Sequence, residues 1–168
     1  LDGNDPVGTA NVALGNAALG ANTNGANNTS IGASSFLSNT EGSNSVGVGT
    51  SALRFNTPGG LNVAVGVSAL ESNTTASNNT AVGYQSLYAN TTGELNSAVG
   101  VNALDANTTG SRNTALGEYA LSANTTASFN TALGSSSLGL NTTGASNTAV
   151  GHNSLQDNTI GATNTAVG

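Results

Sequence analysis

The side chains able to do acid–base, nucleophilic or metal chemistry are few and scattered. His152 is the only histidine, with Asp157 five residues on and serines throughout the chain. Nucleophilic catalysis needs a base and an orienting acid held around the nucleophile. No spacing here gathers such a set, and His152 reads as a solvated surface residue. The acidic residues Asp2, Asp5, Glu41, Glu71, Glu94, Asp105, Glu118 and Asp157 build no stacked carboxylate row. Asp2-Gly3-Asn4-Asp5 could place oxygens near a cation, but it is too short for a recognised calcium loop. The G-G-x-G-x-D repeat of calcium-binding rolls is absent. There is no cysteine for thiolate ligation and no lysine to complete a phosphate loop. No catalytic, cofactor-binding or metal-ligating residue is expected, and the chain is not read as an enzyme.

Binding chemistry is also sparse. The net charge is -6, and Arg54 and Arg112 are the only strong bases. Phosphate backbones require basic clusters, which disfavours a nucleic-acid partner. No apolar run reaches the ~18 residues of a membrane span. The aromatic residues Phe36, Phe55, Tyr84, Tyr88, Tyr119 and Phe129 form no repeating platform, leaving Tyr84 and Tyr88 as the one place for an isolated sugar site. Asn-x-Ser/Thr triplets begin at Asn27, Asn28, Asn73, Asn78, Asn90, Asn107, Asn124 and Asn141. They are glycan acceptors in a secreted eukaryotic protein, and otherwise follow from a repeated Asn-Thr-Thr turn.

What the chain does carry is a period. Gly15, Gly32, Gly49, Gly66, Gly83, Gly100, Gly117, Gly134, Gly151 and Gly168 fall every seventeen residues, without insertion or deletion. A strict period of this length means stacked identical units. The residue before each glycine is aliphatic, as at Val82 and Val99. Four after it comes leucine, as at Leu87 and Leu104, with Phe36 the one exception. Seven and eight after it come Asn and Thr, as at Asn90-Thr91 and Asn107-Thr108. Four before it comes Asn, as at Asn79 and Asn96, with Ser45 the exception. Ten after it is Gly, except at Ala76 and Ala127.

These columns predict an all-β fold: a parallel β-solenoid with one 17-residue coil per repeat. N-T-A-V-G is β-prone and too short for a helix. The segment around A-L is a second strand or an extended arm. N-T-T-G is turn chemistry. Valine and leucine lie five and then twelve apart, so no helical stripe forms. Ten coils at ~4.8 Å each make a rod about 48 Å long. The Asn columns are expected to stack as hydrogen-bonded ladders, the alternative being exposed amides that recognise a ligand. The structural ladder residues are Asn79, Val82, Gly83, Leu87, Asn90, Thr91, Asn96, Val99, Gly100, Leu104, Asn107 and Thr108.

Two further columns are uniformly small: Ala, Ser or Gly two before the glycine, and Ala or Ser three after it. Neighbours on a strand face opposite ways, so with Val82 turned into the coil, Ala81 turns out. A second copy of the chain is the expected neighbour on that small-residue side. The alternative is a tight coil whose own backbone crowds it. Two aliphatic side chains per coil make a thin core against the cost of ordering seventeen residues, which favours an oligomer. The threonine column opens an ice-binding alternative, but a flat two-rank array wants T-x-T, and here Thr74-Thr75 and its equivalents are adjacent.

The phrase N-T-A-V-G-Y-Q-S-L-Y-A-N-T-T-G at Asn79 to Gly93 resembles repeats of bacteriophage tail-fibre proteins and related bacterial surface fibres. The alternation of small residue, aliphatic and glycine resembles, more loosely, the heads of trimeric autotransporter adhesins, whose repeat is shorter. The resemblance implies an extracellular, elongated, homotrimeric shaft that projects a receptor-binding tip. The alternative is an adhesin whose repeat surface binds a host surface or glycan directly. Residues 1–168 then form one repeat array of about ten coils, a fragment of a longer fibre. The implied partner is the chain itself, with a host surface or glycan reached through flanking domains, and no cofactor is implied.

Overall fold

The computed structural model describes residues 10–168. Its regular elements are ten three-residue strands: β1 (Val12–Leu14), β2 (Thr29–Ile31), β3 (Val46–Val48), β4 (Val63–Val65), β5 (Thr80–Val82), β6 (Ser97–Val99), β7 (Thr114–Leu116), β8 (Thr131–Leu133), β9 (Thr148–Val150) and β10 (Thr165–Val167). They form one parallel sheet in chain order. Every strand pairs with the next at an offset of seventeen residues, for example Thr80↔Ser97, Ala81↔Ala98 and Val82↔Val99. The fold is all-β, a parallel solenoid with one coil per repeat.

The remainder of each coil is built from turns. In the coil of Gly83, Ser86 N–H donates to the Gly83 carbonyl at 3.4 Å, and Asn90 N–H donates to the Leu87 carbonyl at 3.2 Å. The A-L segment is therefore two successive turns and not a second strand. A turn with positive φ at its third residue is the type II pattern, and Gln85 holds that place at φ 52°. Leu87 begins the next turn at φ 51°, and Leu95 leads into the following strand at φ 60°. Each of these residues belongs to a column that repeats the conformation in every described coil. Left-handed backbone costs a non-glycine residue roughly 1–2 kcal/mol. Here hydrogen bonds between coils hold it: Leu87 N–H to Ala103 O at 3.0 Å, and Ala89 N–H to Asp105 O at 2.9 Å.

The anchoring glycine has a harder constraint. Gly100 sits at φ +137°, and a Cβ placed there would lie 2.6 Å from the carbonyl carbon and oxygen of Gly117 in the next coil. Neither backbone group can yield without breaking the stack, so the column admits no side chain.

The core is narrow. Leu53, Leu70, Leu87, Leu104, Leu121 and Leu138 are fully buried, with Ala64, Ala81, Ala98, Ala132 and Ala149 opposite them. Ala52, Ala69, Ala103 and Ala120, three after the glycine, complete the filling. One leucine and two small residues occupy each coil. The two sequence exceptions in this core are one pair. Phe36 replaces leucine, and Gly47 stands where other coils carry alanine or serine. A Cβ on Gly47 would lie 2.6 Å from Phe36 Cε2 and 2.9 Å from Cδ2. The missing methyl is the space that the ring fills.

Candidate functional site

Two continuous features run the length of the rod: paired asparagine ladders inside it and an aliphatic column on its surface. The first ladder stands seven after each glycine. Asn107 Nδ2 donates to Asn90 Oδ1 at 2.8 Å and to the Gly110 carbonyl at 2.9 Å. Asn124 Nδ2 donates in turn to Asn107 Oδ1 at 3.0 Å. The links run from Asn22 to Asn158 without a break. Both amide hydrogens and one carbonyl lone pair are used, as burial demands.

The second ladder stands four before each glycine. Asn96 N–H donates to Asn79 Oδ1 at 2.9 Å, and Asn79 Nδ2 donates to the Gly93 carbonyl at 2.9 Å. Both ladders thus converge on the carbonyl ten after the glycine, which Asn90 Nδ2 also reaches at 2.9 Å. At Ser45, the exception, the hydroxyl replaces the acceptor: Asn62 N–H donates to Ser45 Oγ at 3.0 Å. The threonine column is tied in similarly, with Thr91 Oγ1 donating to Thr108 O at 3.0 Å and Thr108 Oγ1 to Thr125 O at 3.1 Å. These hydroxyls are spent between coils.

The aliphatic column is placed opposite to expectation. Ala81, Ala98 and the other small residues two before the glycine are buried inside the coil. The small residues three after it are inside as well, including Ser86 and Ser137. The close neighbour at both small columns is the chain's own interior and not a second copy. A coil filled by one leucine has no room for another large side chain, so the valine parity turns outward. Val65 is 36% exposed, Val99 38% and Leu116 49%. Val82 is half-buried among them. The residues three before the glycine share this face, as strand alternation requires. They are valine at Val12, Val46 and Val63 and mostly threonine elsewhere. In one coil Leu61, Val63, Val65 and Val67 are all exposed. The sequence signal for this face was the strict alternation of β-branched and small residues, read with the wrong side inward.

The remaining candidates stay apart. His152 and Asp157 are both exposed, and no hydrogen bond or ion pair joins them among the described residues. No group of three or more His, Asp or Glu side chains could hold a metal ion among the described residues. Asp2 and Asp5 lie outside them. Arg54 and Glu71 form a partly exposed ion pair at 3.7 Å, a contact of small energetic weight. Of the glycan-acceptor triplets, those at Asn28, Asn73, Asn90, Asn107, Asn124 and Asn141 begin on buried ladder amides, whereas Asn27 and Asn78 are exposed. Among the described residues no helix is long and apolar enough to cross a membrane.

The Asp105 carboxyl has a displaced titration. Burial raises its pKa, opposed by the nearby backbone N–H groups of Asp105 and Ala106 and by the Asn102 amide. Asn102 Nδ2 donates to Asp105 Oδ2 at 3.2 Å, and Asp105 Oδ1 is buried without a partner.

Comparison with protein-family models, with curated proteins and with solved structures finds no match.

Proposed function

We propose that this chain is the structural shaft of an extracellular fibre, and that its copies associate side by side, as a homotrimer, through the outward face of the parallel sheet. The observation that carries the reading is the aliphatic column from Leu14 to Val167, unbroken in all ten strands, exposed at Leu14, Val65, Val99, Leu116 and Val167 and half-buried between them. Here the inner face is covered by the coil and the outer face is open. The aliphatic rank runs roughly 45 Å, beside a second rank that is valine at Val12, Val46 and Val63 and Thr or Ser elsewhere, and a continuous apolar strip on a surface marks an interaction face. Three rods meeting about one axis would bury this band from each and share one core. The mechanical role follows: ladders fix the register within a chain, the shared core stiffens the bundle, and the shaft holds a tip away from its base.

Size-exclusion chromatography with light scattering tests the association. The expected mass is three times 16.2 kDa. Replacing Val65, Val82 and Val99 together by Asp should dissociate the assembly. A folded monomer of the unaltered chain would overturn the shared core. A second reading, an adhesin whose repeat surface binds a glycan, is favoured by one observation: all three tyrosines lie exposed around Asn102 and Asp105.

A further inference from the structure

Tyr84, Tyr88 and Tyr119 are the only tyrosines in 168 residues. They sit on the coils of Gly83 and Gly117, which flank the coil of Gly100. Backbone hydrogen bonds fix the adjacency. Asn102 N–H donates to Tyr84 O at 3.0 Å, Ala89 N–H to Asp105 O at 2.9 Å, and Tyr119 N–H to Val101 O at 3.0 Å. The three residues are 51%, 37% and 46% exposed. None of the three phenol hydroxyls has a hydrogen-bond partner among the described residues. The exposed phenylalanines differ: Phe55 lies under the Arg54 guanidinium and Phe129 under that of Arg112, at 5.0 and 5.4 Å from ring centroid to guanidinium carbon.

Between the tyrosines stands the Asn102–Asp105 pair. A buried carboxylate oxygen without a donor is costly and calls for an explanation. The carboxyl torsion of aspartate is soft, so it can turn an oxygen toward an incoming hydroxyl without moving the backbone.

We propose that Tyr84, Tyr88, Asn102, Asp105 and Tyr119 form a shallow binding site for a neutral oligosaccharide. Exposed aromatic faces with a polar rim suit the C–H faces of pyranose rings, which are apolar in the middle and hydroxylated at the edge. The carboxylate accepts a sugar hydroxyl, and the phenol and amide groups serve its neighbours. Three coils span about 10 Å, the length of two sugar rings. Glu118 beside Tyr119 and the net charge of -6 disfavour an anionic saccharide. The columns used stand one, two and five after the glycine, against one and three before it for the sheet face, and sugar binding is read separately from assembly.

The test is saturation-transfer NMR on the full chain. The probes are neutral oligosaccharides of glucose, galactose, mannose and N-acetylglucosamine, with a sialylated one as the anionic control. The unaltered protein should give transfer from at least one neutral probe and none from the anionic control. Tyr88→Ala and Asp105→Asn should each weaken that binding roughly tenfold or more. Tyr88→Phe, which keeps the ring and loses the hydroxyl, should weaken it less than Tyr88→Ala, and unchanged circular dichroism would show that the variants fold. No transfer from any neutral probe at millimolar concentration overturns the proposal. Transfer unaffected by Tyr88→Ala and Asp105→Asn overturns the assignment of the site, and preference for the sialylated probe overturns its chemistry.

Discussion

The Phe36–Gly47 pair offers a sharp test of how this core is packed. In the regular coils the equivalent positions hold leucine and alanine, as in Leu53 with Ala64 and Leu87 with Ala98, all fully buried. Gly47→Ala places a methyl 2.6 Å from Phe36 Cε2. Carbon atoms want ~3.5–4.0 Å, so the ring or the strand must move by about 1 Å. Phe36 is completely buried and has nowhere to go. Overpacking of this kind costs about 1–3 kcal/mol. The Gly47 backbone is not left-handed, so alanine would otherwise stabilise by about 0.4–1 kcal/mol through the unfolded chain. Phe36→Leu alone leaves a void beside the glycine and costs about 1–3 kcal/mol, less than a truncation to alanine. The double variant recreates the regular pair and should fall within about 1 kcal/mol of the unaltered protein. The two effects therefore couple by about 2–3 kcal/mol, near the top of the range for touching residues. Ser35 is no obstacle, because Ser137 sits beside Ala149 in the same relation, its hydroxyl donating to Ala149 O at 3.1 Å. The assay is native-state hydrogen exchange of the β2 and β3 amides, since stacked repeats need not unfold in one step. Additive effects, or a harmless Gly47→Ala in the presence of Phe36, would refute the packing argument.

Three further outcomes follow from particular contacts. Asn107→Ala removes donations to Asn90 Oδ1 and Gly110 O and leaves Asn124 Nδ2 short of an acceptor; a loss of about 2–4 kcal/mol is expected, read as a lower urea midpoint, and a midpoint unchanged would contradict a working ladder. Ser68→Gly relieves a left-handed residue at φ 57° and should stabilise by about 0.5–1 kcal/mol, strain relief of ~1–2 kcal/mol less the entropy of glycine, whereas Ser68→Val should destabilise; thermal melts distinguish them. Asp105 has a carboxyl pKa raised above its unfolded value, chiefly by burial. The folded state therefore holds the proton longer, and stability falls as pH rises from the ordinary carboxylate range through the raised pKa. Asp105→Asn should stabilise at neutral pH and lose that advantage in acid, and a melting-temperature difference flat with pH would refute the cause assigned.

Much of the fold was legible because a period of seventeen is itself a structural statement. The glycine column, the Asn and Thr columns and the parallel register could be read from one chain, since ten copies repeat the same physical demands. The direction of the valine column could not. Large aliphatic residues ordinarily mark the inside, yet the leucine column alone fills this coil, and Val82 and Val99 are displaced to the surface by the width of the interior. The left-handed columns were also hidden. Leu87, Gln85 and Leu95 are not residues that announce positive φ, and only the stacking of identical coils holds them there. The compensation between Phe36 and Gly47 was visible as two separate irregularities eleven residues apart, and contact alone joins them. Tyr84 and Tyr88 stood out as aromatic, whereas Tyr119, Asn102 and Asp105 join them only through the offset between coils.

The central claim is that the aliphatic sheet face of one chain lies against other copies. The chain has no cysteine, so a single spin label can be placed by Val82→Cys, with Thr92→Cys, at an exposed turn position, as the comparison. Pulsed dipolar spectroscopy then measures distances between chains. Packed sheets are ~10 Å apart, so labels at position 82 should lie within about 20 Å once the label arms are included, and those at position 92 farther apart. Labels at position 82 that show no coupling between chains, or that lie farther apart than those at position 92, would contradict the account.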